Sequence, residues 1–532
     1  MTSKRPPGSP HAAATAAQRA FDEGLARHQA GDLAAAAVAY ERAIAQDAAH
    51  SDALHMRGVI AAQSLDAVGA VHWIDRALRA NPRDAAAHIN RGLALQALGR
   101  QEEALDGFQR ASALSPDLPE GPFNAGNALL ALGRPADALS SFTRAVLIRP
   151  GYAEGWYNHG TTLLALRQPE EALRSFDRAI ALLPGYAEAH ANRGHALEAL
   201  GRAREALAAA TRAVALRADY PEAQWNRALL LLLFGDYAQG LPLYELRWRV
   251  EQRAAAGEFV QARWRGDSPL IGQTILLHAE QGFGDTIQFC RYASMVRDRG
   301  GRVVLRSPRA LVPVLASLEG VEQLVVEGEP LPPYDLQSPL LSLPLAFGTD
   351  VRSIPASPRY LRAAPERVEM WEQRLGPRRR LRVGLSWSSG SGKPTLLKRN
   401  VPLAELAAQL PSGIDYVSLQ KEVRATDAAA LTSLGIPHFG EELVDFGDTA
   451  ALCELMDVVI SVDTSVAHLA AAMGRPTWVL LHFLPDWRWL LDRDDSPWYP
   501  TARLFRQLSV GDWAAPLAGI AEALRVAEGG GR

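Results

Sequence analysis

Between Ala17 and Tyr220, small, large and proline positions return every 34 residues. Glycine recurs at Gly24, Gly58, Gly92, Gly126, Gly160 and Gly194. Alanine recurs at Ala36, Ala70, Ala104, Ala138, Ala172 and Ala206, and again at Ala43, Ala77, Ala111, Ala145, Ala179 and Ala213. Large side chains fall at Tyr40, Ile74, Phe108, Phe142 and Phe176, and prolines at Pro82, Pro116, Pro150 and Pro184. This spacing predicts one pair of antiparallel helices per period. The small residues let the pair approach, the large one fills the gap between neighbouring repeats, and proline stops the second helix because it lacks an N–H and clashes with the preceding turn. After Trp248 the period is lost. Strands are expected at Thr274–His278, Arg302–Arg306, Gln323–Val326, Leu381–Trp387, Asp415–Leu419, Val458–Val462 and Thr477–Leu481, most of them separated by helical stretches. Such alternation predicts parallel sheets. A proline-rich stretch, Glu329 to Pro365, interrupts it.

The rows of the first half resemble the tetratricopeptide repeat (TPR), whose glycine, alanine, aromatic and proline positions they match. Six repeats and a weaker capping seventh predict an all-α solenoid over 17–252, after a disordered tail at 1–16. A solenoid of this kind offers an extended concave surface to a partner. One position of the first helix reads Asn90, Asn124, Asn158, Asn192 and Asn226. Carboxamides at a regular rise would donate to and accept from the backbone of an extended polypeptide without reading its side chains. The row looks like the asparagine ladder in the TPR groove of O-GlcNAc transferase; the simpler alternative is local bonding between repeats. The row before it, Ile89, Phe123, Tyr157, Ala191 and Trp225, reads as packing or apolar pockets. The acidic row Glu120, Glu154, Glu188 and Glu222 suits the positive end of a helix.

Past a connector at 253–269, the second half divides into one lobe at 270–375 and another at 380–532. In α/β sheets ligands sit at the carboxyl ends of the strands, and three motifs fall there. The first runs from His278 to Gln288 and carries Glu280, Gly282, Gly284 and Asp285 in a tight turn before a helix. His278, Glu280 and Asp285 are candidate acid–base groups; the competing readings are a helix N-cap for Asp285 and structural roles for the other two. The second, Leu385 to Pro394 with Lys398-Arg399, places Ser388 and Ser389 beside a Gly-rich loop and cations, the chemistry a diphosphate needs, although it is no P-loop. The alternative is a solvated loop. The third, Val459 to His468, ends an apolar strand in Asp463-Thr464-Ser465 and begins a small-residue helix whose amides would hold phosphate; a capping aspartate and a satisfied histidine would look the same.

Gly284-Asp285, Ser388-Ser389 with a cation before Val401-Pro402, and Asp463-Thr464 with His468 resemble the heptosyltransferase-like glycosyltransferases, family nine. That resemblance implies a GT-B fold, here an α/β pair of Rossmann-type lobes, and a transferase that works without a metal and takes a nucleotide-diphosphate sugar as donor. It implies Asp285 as the base facing the acceptor. Ser388, Ser389, Arg399, Asp463, Thr464 and His468 become donor-site residues, with Lys393 a rival to Lys398 and Arg399 because the spacing to the cation is longer than in the family. The first lobe is short for such a fold. A TPR array followed by a transferase is also the layout of O-GlcNAc transferase, so the acceptor expected is a polypeptide, or a partner protein, in the TPR groove. The alternative is a TPR scaffold whose transferase-like domain no longer turns over.

Composition narrows the choice. The chain of 532 residues is 48% hydrophobic with a formal charge of −3, which excludes dominant disorder. Its 56 Lys and Arg against 59 Asp and Glu disfavour a nucleic-acid binder. Two cysteines, Cys290 and Cys453, are too few for a disulfide framework and fit a reducing compartment. The polar, proline-rich start has no apolar core of a signal peptide, and the run Ala228–Phe234 is far short of the ~20 residues that span a bilayer. A cytoplasmic protein is expected. The aromatic and Arg-rich stretch from Pro485 to Gln507 reads as cleft closure or as packing between lobes, and Asp492-Arg-Asp494 as a surface loop.

Overall fold

A computed structural model describes residues 10–250, 259–389 and 399–530. The chain forms two compact units, Met1–Leu200 and Gly201–Arg532.

The first unit is a run of helix pairs, beginning Pro10–Gln29 with Leu33–Gln46, then Ser51–Gln63 with Ala67–Ala80, and continuing at the same period to Ala187–Ala199. The first helix starts at Pro10, so the stretch 10–16 expected in the tail is helical. The alanine rows are fully buried. The large residue of each unit packs differently from the expectation: it lies on the glycine of its own repeat, between the paired helices. An added Cβ on Gly92 would meet Phe108 ring carbons from 2.5 Å, and on Gly126 those of Phe142 from 2.7 Å. The repeat is therefore a glycine-on-ring joint, and Gly92→Ala is expected to lower unfolding stability by about 1–3 kcal/mol in urea titration, as for other overpacked cores. A loss below 0.5 kcal/mol would mean the ring can step aside. One further row was not recognised in the sequence. The turn between paired helices is left-handed at Gly31, Leu65, Gly99, Gly133 and Arg167, with φ of 62° at Leu65 and 60° at Arg167. Glycine fills most of these sites because it alone adopts that conformation freely.

The second unit opens with helices Ala203–Leu216, Pro221–Leu233 and Tyr237–Tyr244 and then turns to α/β structure. Strands β1 (Thr274–His278), β2 (Arg302–Ser307), β3 (Gln323–Val326) and β4 (Leu336–Pro339) form a parallel sheet in the order β3-β2-β1-β4. Strands β5 (Arg382–Ser386), β6 (Asp415–Ser418), β7 (Val458–Val462), β8 (Thr477–Leu481) and β9 (Ala502–Arg506) form another, in the order β6-β5-β7-β8-β9. β5 and β7 are buried along their whole length, which is why β7 reads as a nearly continuous apolar run. The helix Pro365–Leu375, read as the end of the first lobe, packs on the helix Phe446–Glu454 of the second: Trp371 Nε1 donates to Asp448 Oδ1 at 3.2 Å, and Arg367 pairs with Asp445 at 2.6 Å.

Sheet order fixes where a ligand site forms. Each sheet reverses direction once, between β1 and β4 and between β5 and β7, and loops diverge there to open a crevice. The loops after β1, β5 and β7 are the three motifs picked out in the sequence.

Candidate functional site

A cleft of about 790 Å³ lies at these strand ends, lined among others by Gly284, Asp285, Ser388, Ser389, Arg399, Asp463, Thr464 and His468. The two lobes meet closely: a Cβ on Gly284 would lie 2.8 Å from His468 Cδ2. Phe283 from the first lobe stands edge-on to Phe446 from the second at 5.0 Å.

Asp285 occupies the third position of the helix Phe283–Phe289 and accepts from the Gly282 N–H at 3.1 Å, so it does cap the helix. Its other oxygen accepts from Arg488 Nη2. Burial pushes the Asp285 carboxyl above its usual range, although Arg488 opposes the shift. Arg488 also donates to Asp486 Oδ1 at 2.7 Å and lies over the Phe289 and Trp487 rings at 5.3 and 4.8 Å. Burial raises the Asp486 carboxyl, but Arg488 and Arg399 outweigh it and hold the group below the normal range. Arg399 Nη1 reaches Asp463 Oδ2 at 3.1 Å, and Asp463 Oδ1 lies 3.7 Å from His468 Nε2. His468 shares a 2.9 Å hydrogen bond with the Tyr499 hydroxyl and stacks on Trp489. Burial presses its pKa down to about 4, so at neutral pH it is an uncharged imidazole rather than a phosphate-binding cation.

On the other side of the cleft, Ser389 donates through its backbone N–H and hydroxyl to Asn400 Oδ1 at 2.8 and 3.1 Å. The Ser388 backbone is clasped by Gln420, whose Nε2 donates to the Ser388 carbonyl at 2.8 Å. The Ser388 hydroxyl is buried and has no hydrogen-bond partner among the described residues. Thr464 precedes the helix Ser465–Ala472 and makes no side-chain cap, which leaves the first-turn amides for a ligand. Lys393 and Lys398 lie outside the described residues.

Residues 444–480 match glycosyltransferase family 9 (heptosyltransferase). The matched segment carries β7, Asp463, Thr464 and His468, and so covers one wall of the cleft. Residues 69–119, 123–187, 157–214 and 191–258 match the tetratricopeptide repeat. Protein FlbA of Caulobacter vibrioides is 27% identical over 330 residues, which are 56% of this chain and 54% of FlbA, so the chain spans about half the length of that curated relative. Among solved structures, YrrB, described as a TPR protein with an unusual peptide-binding site, is 23% identical over 35% of this chain and 96% of its own, with a TM-score of 0.32. PilF of Pseudomonas aeruginosa is 20% identical over 41% of this chain and 99% of its own, with a TM-score of 0.38.

Two sequence candidates lie outside the lining of the cleft. His278 closes β1 but faces away, with Nε2 3.1 Å from Gln337 Oε1 and its ring 4.4 Å from that of Phe259. Glu280 is taken by Arg247, whose Nε and Nη2 donate to its two oxygens at 2.9 Å each. Conversely, Asp486 and Arg488 line the cleft and were not singled out as site residues. Their signal was present in the charged pair inside Pro485-Asp-Trp-Arg-Trp489. Trp487, Trp489, Trp498 and Tyr499 are buried, so the aromatic stretch is packing, and Asp492 and Asp494 are exposed.

In the solenoid, three ladder asparagines bond to the preceding repeat: Asn90 to His55 at 2.9 Å, Asn158 to Asn127 at 3.0 Å and Asn192 to the Tyr157 hydroxyl at 3.1 Å. Each uses Nδ2, which leaves the carbonyl oxygen for an N–H donor. Asn124 and Asn226 are half-buried at the equivalent positions. Among the described residues no helix is long and apolar enough to cross a membrane.

Proposed function

We propose that the chain is a glycosyltransferase of GT-B type that moves a sugar from a nucleotide-diphosphate donor to a polypeptide held by the TPR groove. The convergence of Asp285, Ser388, Arg399, Asp463 and the start of the helix Ser465–Ala472 on one cleft carries the reading. The helix amides, the serine hydroxyls and Arg399 would hold the diphosphate and stabilise the charge it gains on leaving, with no step assigned to a metal. Asp285 would take the proton of the acceptor hydroxyl while that oxygen bonds to the anomeric carbon. The carbon–oxygen bond to the diphosphate breaks, and its electron pair leaves with the phosphate. The solenoid raises the local concentration of the acceptor chain rather than supplying chemistry.

A scaffold without turnover is favoured by one observation, the commitment of Asp285 to Arg488 and to a helix cap. A panel of nucleotide sugars separates the two. The enzyme raises the melting temperature with at least one donor, transfers its mass to a polypeptide acceptor, and loses the donor response in Asp463→Ala. A protein that responds to no donor is the scaffold.

A further inference from the structure

The charged floor of the cleft is a chain of alternating sign. Asp285 pairs with Arg488, Arg488 with Asp486, Asp486 faces Arg399 at 4.0 Å, and Arg399 pairs with Asp463, which faces the neutral His468. Three carboxylates therefore meet two guanidiniums. A nucleoside diphosphate adds further negative charge to a floor that is already negative by one. Of the cations in the lining, Lys421 donates to the Leu443 and Val444 carbonyls, whereas Arg488 and Arg399 are shared with carboxylates, so a guanidinium that turns to the anion gives up an acid.

Arg488 is built for the exchange. Its side chain is 7% exposed, and its Nε is buried with no hydrogen-bond partner among the described residues. The short helical turn Trp487–Trp489 that carries it is wedged by Tyr237 and Tyr244, whose rings lie 5.6 and 5.9 Å from that of Trp487. It ends at Leu490 with φ 51° and ψ −169°, a conformation that costs a non-glycine residue strain and persists only where its surroundings enforce it. The turn that carries the guanidinium is thus held against the cleft. Asp285 is the more exposed of the two, at 20%.

We propose that Arg488 is a charge latch on Asp285: in the empty cleft it holds that carboxylate as an ion pair, and the phosphate of a bound donor takes over the guanidinium and frees Asp285 to act on the acceptor hydroxyl. This rests on the reading of the cleft as a donor site. It gives Arg488 a direct contact with the donor phosphate and orders the events, since the base is released only after the donor is seated. It also explains why a carboxylate committed to a cation is compatible with catalysis.

The latch predicts an unusual sign. Asp285 and the phosphate compete for Arg488, so Asp285→Asn tightens nucleoside diphosphate binding by about tenfold. Asparagine keeps the helix cap, which makes this variant safe for folding. Calorimetric titration of the full chain with UDP, GDP, CDP and ADP gives the dissociation constants. Arg488→Gln weakens binding by about tenfold, Arg488→Lys restores most of it, and Asp285→Asn in the Arg488→Gln background gives no further tightening. In turnover assays Arg488→Gln moves the acid limb of the kcat/KM profile for the donor to higher pH, because Asp285 of the donor-free protein has lost its cation, while the kcat profile at saturating donor stays in place. Unchanged or weaker binding in Asp285→Asn overturns the latch, as does equal tightening in both backgrounds, which would mark simple removal of negative charge. Should Arg488→Gln not fold, Arg488→Met takes its place as the background for Asp285→Asn, with the same outcomes. Failure of all four diphosphates to bind the wild-type protein overturns the donor-site reading itself, and the latch with it.

Discussion

Replacing Arg247 with alanine is expected to remove about 3–5 kcal/mol from the stability of the second unit, the usual result of stranding a buried charge. The Arg247 side chain is fully buried and that of Glu280 is 3% exposed. Beyond the paired contact to Glu280, Arg247 donates to Glu245 Oε1 at 2.7 Å, to the Ser342 hydroxyl at 2.6 Å and to the Tyr244 carbonyl at 3.3 Å. Glu280 Oε1 also accepts from the Leu341 N–H at 3.2 Å. The network ties the short helix Arg247–Val250 to the turns after β1 and β4, the ends of the strands that border the crevice. Truncation of Arg247 leaves the buried Glu280 without its cation, whereas truncation of Glu280 leaves Arg247 with Glu245 alone. Replacing both by apolar residues of similar volume, Arg247→Met with Glu280→Leu, should recover most of the loss, because both desolvation costs vanish together. Urea denaturation of the two single variants and the double variant gives the coupling directly. An Arg247→Ala protein within 1 kcal/mol of wild type would mean that water enters the site. The same geometry removes Glu280 from the list of bases, since both its oxygens are already occupied.

Acidification from pH 7 should cost the second unit on the order of 3 kcal/mol through His468 alone. An imidazole in the unfolded chain takes up a proton near pH 6.5, whereas His468 in the folded chain does so at about 4. Because the folded value is depressed, the contribution is intact above pH 6.5 and falls as pH drops between those values, by about 1.4 kcal/mol per unit. Burial is the dominant cause. Asp463 and Asp486 pull towards protonation, while Arg488 and Arg291 push against it. The raised carboxyls of Asp285 and Glu280 have the opposite sign and favour the folded state in acid. Comparison with His468→Gln isolates the histidine, since the other groups are common to both proteins. The stability gap between wild type and His468→Gln should shrink from pH 7 to pH 4.5. Parallel pH profiles would mean that His468 carries a proton in the folded cleft.

Much of the architecture is written locally. A 34-residue period of small residues specifies paired helices because close helix approach needs glycine and alanine at fixed intervals. The strands Thr274–His278, Gln323–Val326, Val458–Val462 and Thr477–Leu481 have the bounds their apolar runs suggest. The strands missed, β4 and β9, lie at sheet edges. There one strand and a short bridge, from Arg263 to β4 and from Asp495 to β9, supply the pairing, so proline in β4 and two arginines in β9 are tolerated and blur the pattern.

The site divides along the same line. Gly284, Asp285, Ser388, Asp463 and His468 were legible because strand ends, capping residues and glycine turns are local signals, and sheet order brings such ends together. The partners of those residues were not. Arg488 meets Asp285 from 203 positions away, and Arg247 meets Glu280 from 33. The sequence alone therefore determined the repeat, the alternation of strand and helix, and which loops face the crevice. Only the tertiary structure decided which carboxylate stands in the cleft and which is spent on a buried arginine, because that choice depends on which long side chains from distant segments arrive beside each acid, and no local pattern encodes their meeting.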